Sequence, residues 1–477
     1  MTMETNTQTR TIPRWVTVIA IVVIGVTLSG CSLFKKSSPK YSVSLEIWGA
    51  FDDSEDYTEI FSTYANINPL VESVTFRKFS TQEYEAALLD ALAAGTGPDI
   101  FMIRNSQIPE FLNKIVPAPS GMISERRFNS AFVDVVADDV VVNGEIYGLP
   151  LSVDSLALYY NKDFFNAAGI AAPPQTWQEF ASVVERLSQI DQYGNIQRAG
   201  AAFGTGKNIN RSADVIAALF MQNGVPITSN NGNVVLSSYV ESTDGVASDA
   251  AIETLRFYTN FASPSRSVYT WNPRQHYSID AFTEGRVGMM INYSWHYNTI
   301  KHKNEKLRFA VAPLPQINRD APKNIANYQV FVVAKNKTME AKPGKKPLPQ
   351  RLRIHEAWEF LSYLTLPHNG RFRIVHGITG QEKVAELSID PAENYLLRTG
   401  KPAARRDLVE AQKDDAILGP FAYGNLIAQT YRRFSPDAVD AIFVEMIDSV
   451  VVGQRTVSQA LANAKTQMVE IFQRAIK

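Results

Sequence analysis

The stretch TQEYEAALLDALAAGTGPDIFMI, residues 81–103, joins a helix to a strand. Tyr84, Leu88 and Leu92 recur every four residues, a helical spacing, and Gly95 suits the C-terminal cap. Residues 98–103 then form a short apolar run. Upstream, SVSLEIWG (42–49) alternates Val43, Leu45 and Ile47 against Ser42, Ser44 and Glu46, the period of a half-buried strand. Strand, helix and strand in that order read as a βαβ unit and predict a parallel sheet. Ligands of such sheets lie outside the carboxyl ends of the strands. Here those ends are Trp48–Asp53 and Arg104–Ser106.

The alternation continues. Leu156–Tyr160 is a second apolar strand. Thr176 and Glu179 have capping-box spacing ahead of a helix whose stripe is Trp177, Phe180, Val183, Val184, Leu187 and Ile190. FTEGRVGMMINYSW (282–295) turns at Gly285, runs through an apolar strand and ends on Tyr293, Ser294 and Trp295. Strands follow within 307–316 and 327–336, a helix at 355–366, and a mainly helical C-terminal region. The class is α/β, without an internal repeat.

The chain has 477 residues, 45% of them apolar, more than one core usually serves, so two lobes are expected. Its formal net charge of −1 leaves no excess of Lys and Arg to neutralise a phosphate backbone, so nucleic acid is not an expected partner. Arg10 and Arg14 precede the mostly apolar run Trp15–Leu28 and then LSGC, ending at Cys31. The run is short for a bilayer span, which needs roughly 20 apolar residues, and reads as a secretory signal. A cysteine directly after Leu-Ser-Gly resembles the bacterial lipobox, in which the thiol is acylated. Cys31 is the single cysteine and has no disulfide partner within the chain. Residues 31–40 read as a tether and the folded body is expected from Tyr41.

Several motifs fail on a required residue. FGTGKNIN (203–210) has Ala201 where a phosphate loop needs Gly, and Asn208 where it needs Ser or Thr. HEAWE (355–359) has Glu359 where a zinc-protease helix needs its second His. No Gly-x-Ser-x-Gly elbow occurs. The six histidines are scattered, and neither a cofactor nor a metal is expected. The carboxylates Asp52, Asp53 and Asp154 lie at strand ends or near a lobe crossover. Two of them facing across a cleft could hydrolyse a glycosidic bond, or they could accept hydrogen bonds from sugar hydroxyls without chemistry. With Trp48, Tyr293 and Trp295 nearby they suit a sugar ring, apolar on its face and hydroxylated at its edge.

Taken in order, LEIWGAFDD, AALLDALAAGTGPDIFMI, YGLPLSVDSLALYYNKDFFNAAGI, PQTWQEF, AFTEGRVGMMINYSW, AWEFLSYLT, LLRTGKPAARRDL and DAVDAIFVEMIDSVVVGQRTVSQAL resemble the extracellular solute-binding proteins, family 1, of ATP-driven sugar importers, the maltose-binding-protein-like lipoproteins. The resemblance implies a periplasmic-binding-protein-like fold: two α/β lobes, each a mainly parallel sheet flanked by helices, with a ligand cleft at the hinge. It places the first lobe at 41–152 and 330–395 and the second at 153–329 and 396–477. It also implies that Trp295 stacks on sugar and that Asp52 occupies a polar position four residues after the family's Trp. Asn105, Ser106, Asp154, Thr205, Asn208 and Tyr328 fall in loops that touch ligand. Arg405 lies in PAAR, the family's PAR with one inserted Ala. HGITGQEKVAELS (376–388) matches nothing in the pattern.

The expected function is a monomeric, non-enzymatic binding protein for a carbohydrate, an oligosaccharide first. It would be held by lipid on the outer face of the cytoplasmic membrane and would deliver its ligand to the transmembrane subunits of an ABC permease. A polyamine held by Asp52, Asp53 and Asp154, another small polar solute such as a phosphorylated polyol near Arg104, Lys207 or Arg405, and an anchored glycoside hydrolase are the alternatives.

Overall fold

The computed structural model describes residues 41–229, 232–241, 247–338 and 348–476. Cys31 and its tether lie outside them.

The first sheet has the strand order Val71–Lys78, Val43–Gly49, Ile100–Arg104, Gln329–Ala334, Ile115–Val116. Val43, Leu45 and Ile47 point into the core as their alternation requires. The expected helix runs Tyr84–Ala94 and stops at Gly95, whose φ of 71° is the left-handed value a C-terminal cap takes. The strand Val43–Gly49 is parallel to Val71–Lys78 and to Ile100–Arg104. Helix Thr58–Ile67 and strand Val71–Lys78 escape the sequence reading, because the strand's burial alternates only loosely and its last residues are exposed.

The second sheet runs Phe309–Pro313, Ala157–Asn161, Val287–Asn292, Ile196–Ala201, Gln189–Ile190. Here only Ile196–Ala201 with Val287–Asn292 is parallel, and the remaining pairs are antiparallel. Both sheets are therefore mixed, against the mainly parallel expectation. In the first, Gln329–Ala334 joins antiparallel, as a strand can when it enters a sheet from its opposite end after a crossing from the other lobe.

Helix Trp177–Leu187 packs on the second sheet with its capping box formed: Thr176 Oγ1 accepts from Glu179 N–H at 3.2 Å, and Glu179 accepts from Thr176 N–H at 3.3 Å. Ile190 leaves the apolar stripe, since the helix ends at Leu187 and Ile190 sits exposed in an edge strand. Beneath this helix the sheet carries Gly200 and Gly288. A Cβ on Gly200 would lie 2.5 Å from Val184 O. Gly200→Ala is expected to lower stability by about 2 kcal/mol, because a backbone carbonyl cannot swing aside. A denaturant melt with an unchanged midpoint would refute this.

Two main cores follow from these sheets, with a smaller cluster around Tyr159, Trp271 and Phe282 on the other face of the second sheet. One gathers Val43–Val153 with residues 326–428, including Trp358, Phe360 and Tyr363 of helix Gln350–Thr365. The other spans Leu156–Ile325 and Phe434–Phe472, with helices Pro436–Val451 and Val457–Ile476 closing it. Leu396, Ala403, Ala404 and Val409 pack into the first core, although the region 396–477 was expected in the second lobe. Their small or apolar side chains fit beside Phe132 and Leu151, against which Arg405 and Ala404 form backbone contacts. Between the cores lies a three-stranded sheet, Ala428–Gln429, Asn324–Asn327 and Asp154–Ser155, one strand from each passage of the chain between the lobes.

Candidate ligand cleft

A cleft of about 510 Å³ opens beside this small sheet, with walls from both lobes. The first lobe contributes Phe51, Tyr84, Glu85, Arg104, Tyr328 and Lys401, and the second contributes Asp154, Arg211, Ser294, Trp295 and Asp437.

The aromatic floor comes from the end of strand Val287–Asn292. Tyr293 continues the strand and is fully buried. The chain then turns into helix His296–Lys303, which brings Trp295 back over Tyr293, centroids 4.6 Å apart and planes 19° from parallel. Trp295 keeps 40% of its surface exposed, and it faces the cleft. A large aromatic held flat by a second ring and left open on the cleft side is a stacking platform.

Asp154 sits at its edge. Its carboxylate accepts from Ser294 N–H at 3.0 Å and Ser294 Oγ at 2.5 Å, and from Ser155 N–H at 2.9 Å. Burial pushes its pKa up to about 7, outweighing those hydrogen bonds and the charge of Lys401. The folded protein therefore holds this proton more tightly than the unfolded chain. Asp154's contribution to stability is fully present below about pH 4 and declines as pH rises through 7. Asp154→Asn keeps the neutral form throughout, so its melting temperature relative to wild type should climb between pH 4 and 7. A difference that is flat in pH would mean that Asp154 is already charged in the fold.

Three cations reach the cleft. Arg104 pairs with Asp437 across the two lobes at 2.7 Å, and its hydrogen bond holds Asp437 below the usual carboxylate range. Lys401 pairs with Asp52 and donates to Tyr395 Oη at 2.7 Å. Arg211 lies beside the Tyr293–Trp295 stack.

Of the residues singled out in the sequence, Asp154, Trp295 and Tyr328 meet in this cleft with Tyr293 beneath. Tyr328 offers its ring, since its hydroxyl donates to Asp139 at 2.7 Å. The others lie elsewhere. Asp52 is 1% exposed and receives Tyr57, Tyr395 and Lys401, so it acts behind the wall. Asp53 faces solvent beside Lys78 at 2.6 Å. Trp48 donates to Glu46 at 2.8 Å and packs on Phe79 inside the first lobe. Asn105 and Ser106 line a separate cavity, where Asn105 donates to Asp139 at 2.9 Å. Thr205 donates to Asn208, which donates in turn to the carbonyls of Asn272 and Gln275, a loop brace in the second lobe. Arg405 is clamped by Asp390 at 2.7 Å and Asp407 at 2.8 Å. Arg211, Lys401 and Asp437 were not singled out. Arg211 follows the failed phosphate loop, Lys401 precedes PAAR and Asp437 falls in the mainly helical C-terminal region, and no local signal shows that the three share one cavity.

Two α/β lobes around a ligand-sized cleft define the class of two-lobed binding proteins. The sequence profile of the bacterial extracellular solute-binding proteins matches residues 72–370, and the chain belongs to that family. A Brucella abortus protein named as a binding protein is 27% identical over 47% of this chain and 51% of its own length. The maltotriose-binding protein of Pyrococcus abyssi is 25% identical over 55% and 51%, and the galactooligosaccharide-binding protein of Bacillus subtilis 22% over 70% and 74%. The chain thus spans about half the length of the first two relatives. Among solved structures, a cyclo/maltodextrin-binding protein complexed with maltotetraose superposes with TM-score 0.67, 16% identity, and 90% and 97% coverage. The sugar-binding protein MalE of Xanthomonas citri gives 0.67, 18%, and 91% and 98%. These structural likenesses show the fold.

Proposed function

We propose that this protein is the carbohydrate-binding component of an ABC importer, taking an oligosaccharide into the cleft by hinge closure and passing it to the permease's transmembrane subunits. The observation that carries this reading is the Trp295 platform on Tyr293, open to a cleft whose walls belong to different lobes. The names of the Pyrococcus and Bacillus relatives support a sugar. Asp52 and Asp53 do not face each other across the cleft, and its carboxylates Glu85, Asp154 and Asp437 are matched in number by Arg104, Arg211 and Lys401, so the polyamine and hydrolase readings built on Asp52 and Asp53 find little support. We further propose that the first lobe keeps its division near 152 and 330, with the third crossing near Ala428, and that Cys31 carries lipid on the outer face of the cytoplasmic membrane.

The test is thermal unfolding of residues 41–477 against mono- and oligosaccharides, polyamines and sugar phosphates. A ligand at 100 times its Kd adds about 2.7 kcal/mol to the folded state. A shift with a sugar recovered intact supports the reading. A shift with polyamines alone, or recovery of cleaved sugar, overturns it. Anchoring is tested by Cys31→Ala, which should move the protein from the membrane fraction to the soluble one.

Ligand closes such a protein only through contacts that differ between its open and closed forms. The Arg104–Asp437 pair already bridges the lobes, but Asp437 is mostly exposed, so the bridge is worth under about 1 kcal/mol. Asp437→Asn should therefore shift the open fraction by no more than about fivefold. Small-angle scattering on the free protein measures it; a fully open variant would show that the pair dominates closure.

A further inference from the structure

Arg211 has features that binding a neutral sugar does not require. Its backbone sits at φ 62°, ψ 23°, the left-handed region that Gly and Asn enter readily and Arg does not. It does so at the residue that begins helix Ser212–Gln222 and lines the cleft. Its guanidinium carbon is 5.3 Å from the Trp295 centroid and 5.8 Å from that of Tyr293. Those rings are stacked 4.6 Å apart. A cation over the outer face of Trp295 would be far from Tyr293, so the near-equal distances place Arg211 at the shared edge of the stack. Arg211 therefore does not cover the outer face of Trp295.

The other two cleft cations are committed, Arg104 to Asp437 and Lys401 to Asp52. Arg211 is not. Among the described residues its guanidinium donates no hydrogen bond, and its nearest carboxylate is Asp214 Oδ2 at 4.0 Å. Asp214 is itself shared with Arg433 at 3.8 Å. Arg211 also acts on Asp437 and Asp440, but each has a nearer cation, Arg104 at 2.7 Å and Arg433 at 2.9 Å, and Asp154 accepts from Ser294 and Ser155. A planar fork of donors with one third of its side chain exposed, at the rim of an aromatic platform, matches a carboxylate.

We propose that the cleft selects saccharides containing a uronic acid, the sugar ring stacking on the outer face of Trp295 while its carboxylate takes a two-point ion pair from Arg211. This rests on the carbohydrate reading above and narrows it. The helix start at Ser212 adds its positive end on the same side.

The experiment is calorimetric titration of residues 41–477 with short oligogalacturonides and glucuronoxylan-derived aldouronic acids, each beside its carboxyl-reduced form. The acid is expected to bind at least tenfold tighter than its reduced partner, with the advantage shrinking at high salt. Arg211→Gln should cut that ratio to within about twofold. Arg211→Asn should do the same while the free protein melts no lower than wild type, because Asn accepts the left-handed backbone. Reduced forms binding as tightly as the acids, or an Arg211→Gln loss equal for both, would overturn the proposal while leaving the carbohydrate reading intact. If neither acids nor neutral sugars bind, the carbohydrate reading itself falls, and this with it.

Discussion

Asp52→Ala is expected to destabilise the protein by about 3 kcal/mol, the scale for removing one partner of a buried ion pair. Asp52 receives Lys401 and the hydroxyls of Tyr57 and Tyr395, and its side chain is shut off from solvent. Without it, Lys401 is left beside two buried phenols with only the more distant Asp154 as counter-charge. Lys401 is partly exposed and can turn to water, which caps the loss near that figure. The same change frees Lys401 in the cleft wall, so sugar affinity should fall as well. Calorimetric unfolding of the free protein separates the two effects: the stability loss must appear without ligand. A variant that melts like wild type yet loses affinity would put Asp52 in contact with ligand after all.

Trp295→Ala is expected to do the opposite, sparing the fold and weakening binding. Trp295 lies at the cleft surface, and Tyr293 beneath it belongs to the buried end of its strand. Withdrawing an indole face from a stacked sugar forfeits about 2–3 kcal/mol of apolar contact, roughly 30- to 150-fold in Kd. Trp295→Phe should recover a good part of this. Titration with the sugar found by the melting screen gives the answer, and an unchanged Kd would show that the ring packs only on its neighbour. The melting temperature of the free variant should move by less than that of Asp52→Ala.

The two predictions separate residues that looked alike in the sequence. Asp52 and Trp295 both follow apolar strands and both fall where a sheet presents its ligand side. Period-two alternation located their strands, and the capping box at Thr176 and the glycine at 95 located helix ends, because these signals depend on neighbours a few residues away. The strand end that carries Trp295 was legible for the same reason, while a ligand role for that ring came only from the family resemblance. Strand Val71–Lys78 was less so, its alternation being loose along an edge of the sheet.

The amino-acid sequence by itself determined the α/β class, most of the regular elements, the family and the aromatic end of the Val287–Asn292 strand. The tertiary structure alone decided which polar groups face the cleft. Asp52 is turned inward by Lys401, 349 residues away, and Arg104 is turned across the lobes by Asp437, 333 residues away. Thr205, Asn208 and Arg405 are likewise claimed by partners that only folding brings near. A buried charge or amide must find a partner wherever the fold supplies one, and that partner can lie far beyond the reach of any local pattern.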